Sequence, residues 1–183
     1  ETADIASRTG ARVVTSEKGR GQQLRSGAAA ATGEWLLFLH ADTVLPEGWV
    51  AEVSAYTGEP ANIGRAAAFT FALDDPSPEA RRIERLVAWR TRRLGLPYGD
   101  QGLLISRSHY DRLGGFRPIP LMEDVDIVRR IGRSHLDVLG ARAVTSAERY
   151  RRGGWWGRPM RNICCLALYF LRVPPRILVR LYR

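Results

Sequence analysis

Lysine is almost missing from this chain. Lys18 is the only one, and arginine supplies the rest of the 28 basic side chains. The formal net charge of +9 favours anionic partners as a class. Such a bias also follows from genome base composition, so it does not single out nucleic acid. Cysteine is scarce too. Cys164 and Cys165 are adjacent, with no third cysteine to pair with. A vicinal disulfide is strained, so they read as free thiols on a buried face, in keeping with a reducing cytoplasm. No CxxC or His/Cys cluster of zinc type is present. The longest apolar run, residues 163–171, is about half of the ~20 residues a membrane-crossing helix needs. The opening ETADIASRTGARVV lacks a basic region followed by an apolar one, so no signal peptide is visible. The phosphate loops GxxxxGK[ST] and GxGxxG are absent.

What remains is ordinary globular material: 183 residues, 45% apolar, enough for one domain with a core. Residues 2–9 read as a helix stopped by Gly10, 11–15 as a short strand, and 19–32 as a helix closed by Gly33. Trp35 to Leu39 is a run of five apolar residues, the pattern of a strand buried on both faces. It is expected at the centre of a parallel sheet, with 11–15 as one neighbour. A helix begins at Pro46 and runs to about Tyr56. This alternation predicts an α/β fold with a mostly parallel sheet flanked by helices. Further on come a strand at 66–73, a loop and long amphipathic helix, a strand at 102–106, and a short helix ended by Gly114-Gly115. A helix over 123–132 has acids in its first turn and arginines in its last. A Gly/Arg/Trp loop follows, then two C-terminal helices, the second begun by Pro174-Pro175. Residues 1–150 are expected to form the main unit, and 151–183 to pack on it. A doubly wound sheet usually opens with a strand, whereas this chain opens inside a helix; its first βα unit is expected to be missing.

Four stretches carry chemistry. In EWLLFLHADTVLPEGW the apolar run ends in His40-Ala41-Asp42. Ligands of open α/β sheets bind beyond strand carboxyl ends. In extended chain His40 and Asp42 project to one side, and a carboxylate there can hold a divalent cation that bridges phosphates. Alternatively, Asp42 caps the next helix and His40 is a core histidine. In LMEDVDIVRRI, Glu123 and Asp124 open a helix, where acids are also favoured for stability alone. Facing the same cleft as Asp42, they become candidates for a general base. In YGDQGLLIS, Asp100 and Gln101 sit between two glycines, as an Asx turn or as a polar pair offered to a ligand. In SEKGRGQQLRSGAAAATG, Lys18 and Arg20 precede a helix whose N-terminus can bind phosphate.

Taken in this order, the four stretches resemble the family 2 glycosyltransferases of the GT-A fold. GRGQQLRSGAAAATGEWLLFLHADTVLP looks like the stretch leading into that family's Asp-x-Asp metal motif. GDQGLLISRSHYDRLGGF looks like its acceptor-side segment, and LMEDVDIVRRI like its Glu-Asp base motif. The HADT, GDQG and MEDV wording, with TSAERYRRGGWW, is closest to the bacterial branch known as radical-SAM/selenodomain-associated. The resemblance covers most of residues 1–160. The family's opening strand and Asp-Gly-Gly-Ser-like loop do not appear, so no base-binding residue is assigned. His40 stands where the first Asp of the metal motif is usual, while Asp42 keeps the last.

The resemblance implies inverting transfer of a sugar from a nucleotide diphosphate to an acceptor hydroxyl. Asp42 would hold Mg²⁺ or Mn²⁺, and His40 would touch ribose or diphosphate. Lys18 and Arg20 would bind the nucleotide end. Asp124 would act as base with Glu123 as neighbour or alternate, and Asp100 and Gln101 would hold donor sugar or acceptor. Arg151 and Arg152, beside Trp155 and Trp156, would close over the diphosphate; the alternative is a solvated basic turn. Two rival readings are a metal-dependent nucleotidyltransferase and a basic nucleic-acid-binding module. The second explains the charge but not the acids at strand and helix ends. Near the C-terminus, Leu166, Tyr169, Phe170 and Ile177 with flanking arginines fit either a membrane surface admitting a lipid acceptor or a helix pair that covers the sheet or forms a dimer. A cytoplasmic enzyme, possible at the inner membrane face, is the expectation.

Overall fold

The centre of the sheet is the alanine-rich strand AAAFTFAL, residues 66–73, in a computed structural model that describes residues 2–182 and, of Thr2 and Arg158, the backbone alone. Glu1 and Arg183, the outer bounds of the two expected units, lie outside the described residues. In chain order the first elements are helices α1 (Thr2–Arg8) and α2 (Arg20–Ala30), strands β1 (Trp35–Phe38) and β2 (Thr43–Val44), and helix α3 (Trp49–Gly58). Then follow β3 (Ala66–Leu73), α4 (Pro78–Leu94), β4 (Leu103–Ser106), α5 (Arg107–Arg112), α6 (Glu123–Ile131) and β5 (Leu136–Thr145). Helices α7 (Glu148–Gly153), α8 (Gly157–Phe170) and α9 (Pro175–Tyr182) complete the chain.

The strand order is β1-β4-β3-β5-β2. Among the described residues only β3 and β5 pair in parallel; the other pairings are antiparallel. The α/β class therefore holds, but the sheet is mixed rather than mostly parallel. A helix between two strands permits a parallel crossover without compelling it. Here α4 is followed by the segment 95–102, which returns the chain so that β4 runs against β3.

Residues 34–39 are not central. β1 pairs with β4 alone and stands at the sheet edge among the described residues. Ala11–Thr15 is exposed and irregular rather than a neighbouring strand. The apolar run reports on faces, not on edges. Leu36 and Phe38 enter one core with Leu24, Phe116 and Ile127, while Trp35 and Leu37 enter another with Phe69, Trp49 and Tyr56. Both faces are covered without a strand on each side.

Local chemistry explains the long helix. The Ser77 hydroxyl accepts the Ala80 N–H at 3.2 Å, and Pro78 fits the first turn. Gly95, at φ 63°, stops α4 in the left-handed conformation. Ala80, Ile83, Val87 and Thr91 form its buried stripe. The expected Gly/Arg/Trp loop is largely helical, as α7 and the start of α8. Cys165 is buried, but Cys164 is exposed, so only one of the two free thiols lies on a buried face.

Candidate functional site

Loops and helix ends from several elements converge beyond one end of the sheet. They enclose a polar cavity of about 550 Å³. His40 and Asp42 come from the turn after β1, Asp100 from the turn before β4, and Asp124 from the start of α6. Arg20 enters from α2 and Arg149 from α7. The wall is completed by Tyr98, Thr145, Asn162 and Tyr182, among others.

The acids are held by backbone geometry. The turn 40–43 is closed by the Thr43 N–H donating to the His40 carbonyl at 3.1 Å, and the Ser146 N–H donates to the Asp42 carbonyl at 3.3 Å. Asp100 lies in a 3-10 turn, Gly99–Gln101. A Cβ on Gly99 would stand 2.3 Å from His40 Nε2, so only glycine allows this loop so close to the imidazole. Gly102, at φ 65°, then turns the chain into β4. Met122 is a non-glycine residue in the left-handed region, at φ 65°, immediately before α6. The helix start puts Glu123 inward and Asp124 toward the cavity. The Asp124 carboxylate accepts the Gly99 N–H at 2.9 Å and the Val125 N–H at 2.7 Å.

Burial raises the Asp100 carboxyl. Arg90 and His40 oppose the rise, while Asp124 and Asp42 add to it. Its Oδ1 is buried without a hydrogen-bond partner. Glu123 is 1% exposed, with Oε2 likewise buried and unpartnered. Burial, then the charge of Asp124, pushes its carboxyl up to about 7. Glu123 faces an apolar pocket lined by Phe38, Leu103 and Ile127 rather than the polar cavity, whereas Asp124 borders both.

The remaining site candidates part ways. Arg20 reaches the cavity, its guanidinium 5.9 Å from the Tyr182 ring centre. Lys18 is exposed and does not line the cavity. Gln101, expected to hold donor sugar or acceptor, is only 1% exposed and bonded into the fold. Its carbonyl accepts from Thr91 Oγ1 at 2.9 Å and Arg90 at 3.2 Å, and its amide donates to the Phe69 carbonyl at 3.1 Å. Both lone pairs of its carbonyl and one of its two amide N–H groups are thus turned into the fold. Arg151 pairs with Asp75 at 2.9 Å, and Arg152 with Glu148 one turn back. Neither lines the cavity; the helical phase of α7 sends both elsewhere.

Residues not singled out from sequence take their places. Arg149 sits 3.4 Å from Asp42 Oδ2. Arg90 stacks 3.5 Å from the Tyr98 ring centre and donates to the Leu96 carbonyl at 2.8 Å, bracing the Asp100 loop. Two residues before Arg151, Arg149 lies on another side of one helical turn, a placement that follows only once 148–153 is helical.

Mg²⁺ and Mn²⁺ often bind through one or two carboxylates and complete their shell with phosphate oxygens. The donors here fit that pattern. Asp42 and Asp100 offer hard oxygen donors at one cavity, and Asp100 has an unpartnered buried oxygen. Among the described residues no cluster of three or more potential ligands forms a cage, so the protein offers part of a shell.

The glycosyl transferase family 2 model matches residues 1–116. That is more than half of the chain, and the chain belongs to this family. No curated protein matches. Among solved structures, glucosyl-3-phosphoglycerate synthase from Mycobacterium tuberculosis in complex with phosphoglyceric acid is 19% identical, with TM-score 0.50 over 78% of this chain and 55% of that one. The same synthase with Mn²⁺, UDP-glucose and phosphoglyceric acid gives 20% identity and TM-score 0.48 over 75% and 54%. The chain thus spans about half the length of these structures, and the first of them shares its fold.

Proposed function

We propose that this chain transfers a sugar from a nucleotide-diphosphate donor to an acceptor hydroxyl, with inversion and with Mg²⁺ or Mn²⁺. The observation that carries the reading is the meeting of Asp42, Asp100 and Asp124 with Arg20 and Arg149 at one cavity. Asp42 and Asp100 would hold the cation, which supplies charge neutralisation for the leaving diphosphate. Arg20 and Arg149 bind the phosphates, and His40 contacts the ribose or diphosphate. Asp124 takes the acceptor proton. Its two N–H bonds fix the carboxylate and leave lone pairs free for the acceptor. As that proton leaves, the acceptor oxygen bonds to the anomeric carbon, the bond to diphosphate breaks, and the centre inverts. Glu123 stays behind Asp124, where its buried carboxyl is easily protonated.

The HADT, GDQG and MEDV wording supports the finer placement in the radical-SAM/selenodomain-associated branch. The nucleic-acid reading loses support, because Arg151 and Arg152 are engaged with Asp75 and Glu148. The test is ligand-induced melting with UDP or GDP, with and without Mn²⁺, against a short oligonucleotide. Metal-dependent stabilisation by a nucleoside diphosphate is expected. Stabilisation by the oligonucleotide alone would overturn the reading.

A further inference from the structure

We propose that the outward face of α8 and α9 docks on an anionic lipid surface. Trp156, Met160, Ile163, Ala167 and Phe170 follow helical spacing, and all are exposed. Trp156 is 73% exposed and Leu171, just past the helix, 75%. On α9, Ile177 and Leu181 are exposed one turn apart. The other side of these helices is already in use. Cys165 and Leu178 are buried in the core, with Leu166, Leu168 and Tyr169 packed against it. One side of the pair therefore packs into the core, and a second apolar stripe is left uncovered.

Charge selects the occupant. From Arg149 to Arg183 the sequence holds nine arginines and no Asp, Glu or Lys. Arg161, Arg172, Arg176 and Arg180 are exposed in this region. A second copy seated symmetrically on the same stripe would set arginine against arginine, with no carboxylate to answer. An anionic bilayer answers both features. Apolar side chains enter the acyl boundary, and guanidinium groups meet lipid phosphates. Among the described residues no helix is long and apolar enough to cross a membrane, so the contact is with the surface.

The face adjoins the candidate site. A largely apolar groove of about 750 Å³ runs between α4 and α8, past Trp89 and Leu94. It shares Ile163 with the stripe, and Tyr98, Tyr150 and Asn162 with the polar cavity. A docked lipid surface would thus be continuous with the cavity. The docking itself does not depend on the proposed transfer reaction.

The test is co-sedimentation of the full chain with vesicles of phosphatidylcholine, or of equimolar phosphatidylcholine and phosphatidylglycerol. Binding to the anionic vesicles alone is expected, falling as NaCl is raised. The triple variant Arg172→Gln/Arg176→Gln/Arg180→Gln should lower partitioning by about 10²-fold. Trp156→Ser/Leu171→Ser should lower it by about 10-fold at unchanged melting temperature. The salt series on the unaltered chain needs no substitution, so it stands even if a variant misfolds. Equal binding to neutral vesicles, or binding to neither, would overturn the proposal. So would a vesicle-free dimer that Trp156→Ser/Leu171→Ser dissociates, because the stripe would then belong to a second copy.

Discussion

The two sides of the cavity are built differently. Its acids come from the ends of sheet strands and the start of α6, and backbone fixes them: a glycine-dependent approach to His40, a 3-10 turn under Asp100, two N–H bonds on Asp124. Its cations, Arg20 and Arg149, stand on helices and reach in with long side chains. Arg149 is 59% exposed at the side chain and meets Asp42 at only 3.4 Å. A surface pair of that length contributes little to stability. The contrast suggests a division of labour: the acidic wall is rigid and suited to positioning a cation and a proton acceptor, while the basic wall can re-aim when a phosphate arrives.

The largest expected effect falls on the rigid wall. Asp124→Asn should cut transfer by at least about 10²-fold while donor affinity stays nearly unchanged. Turnover and donor affinity measured on the same preparation decide it. Normal turnover in a folded variant would make Asp124 a helix-start residue only. Loss in Glu123→Gln but not in Asp124→Asn would mean that the base is misassigned by one residue.

Glu123 sharpens the comparison through pH. Its carboxyl is raised in the fold, from 4.5 to about 7. Between those values the folded chain binds the extra proton, so this group's contribution is full below about pH 4.5 and is lost as pH rises through 7. Glu123→Gln removes the titration. It should stabilise the fold at pH 8 relative to the parent by on the order of 3 kcal/mol, seen as a higher melting temperature, and change it little at pH 5. Equal shifts at both pH values would show that Glu123 is not buried with a raised carboxyl.

The basic wall should respond more gently. Arg149→Gln is expected to weaken nucleoside-diphosphate binding by about 10-fold, with unchanged melting temperature. Arg151→Gln, whose parent side chain pairs with Asp75, should leave binding within about 2-fold. Isothermal titration of both variants checks the helical phase of α7. The reverse order of losses would put Arg151, not Arg149, at the phosphates.

The same contrast explains what the sequence made legible. Asp42, Asp100 and Asp124 lie next to strand or helix ends marked by apolar runs and glycines, so local pattern located them. Arg149 and Gln101 depend on which way a turn of helix faces, and Gly153-Gly154 hid that α7 was helical. The apolar run at 35–39 carried the burial of two faces but not its edge position, which is set by pairing with β4, far along the chain. The central place of β3 had the same non-local cause. Helix α4 was legible because its cap, stripe and stop are all local.

The central claim is that the cavity takes a nucleoside diphosphate through a cation held at Asp42. Calorimetric titration of UDP and GDP into the parent chain, Asp42→Asn and Asp124→Asn, each with Mn²⁺ and with EDTA, tests it most directly. The account predicts Mn²⁺-dependent binding of at least one of the two nucleotides to the parent and to Asp124→Asn, and its loss in Asp42→Asn. Equal affinity in Mn²⁺ and EDTA, or undiminished binding by a folded Asp42→Asn, would contradict it.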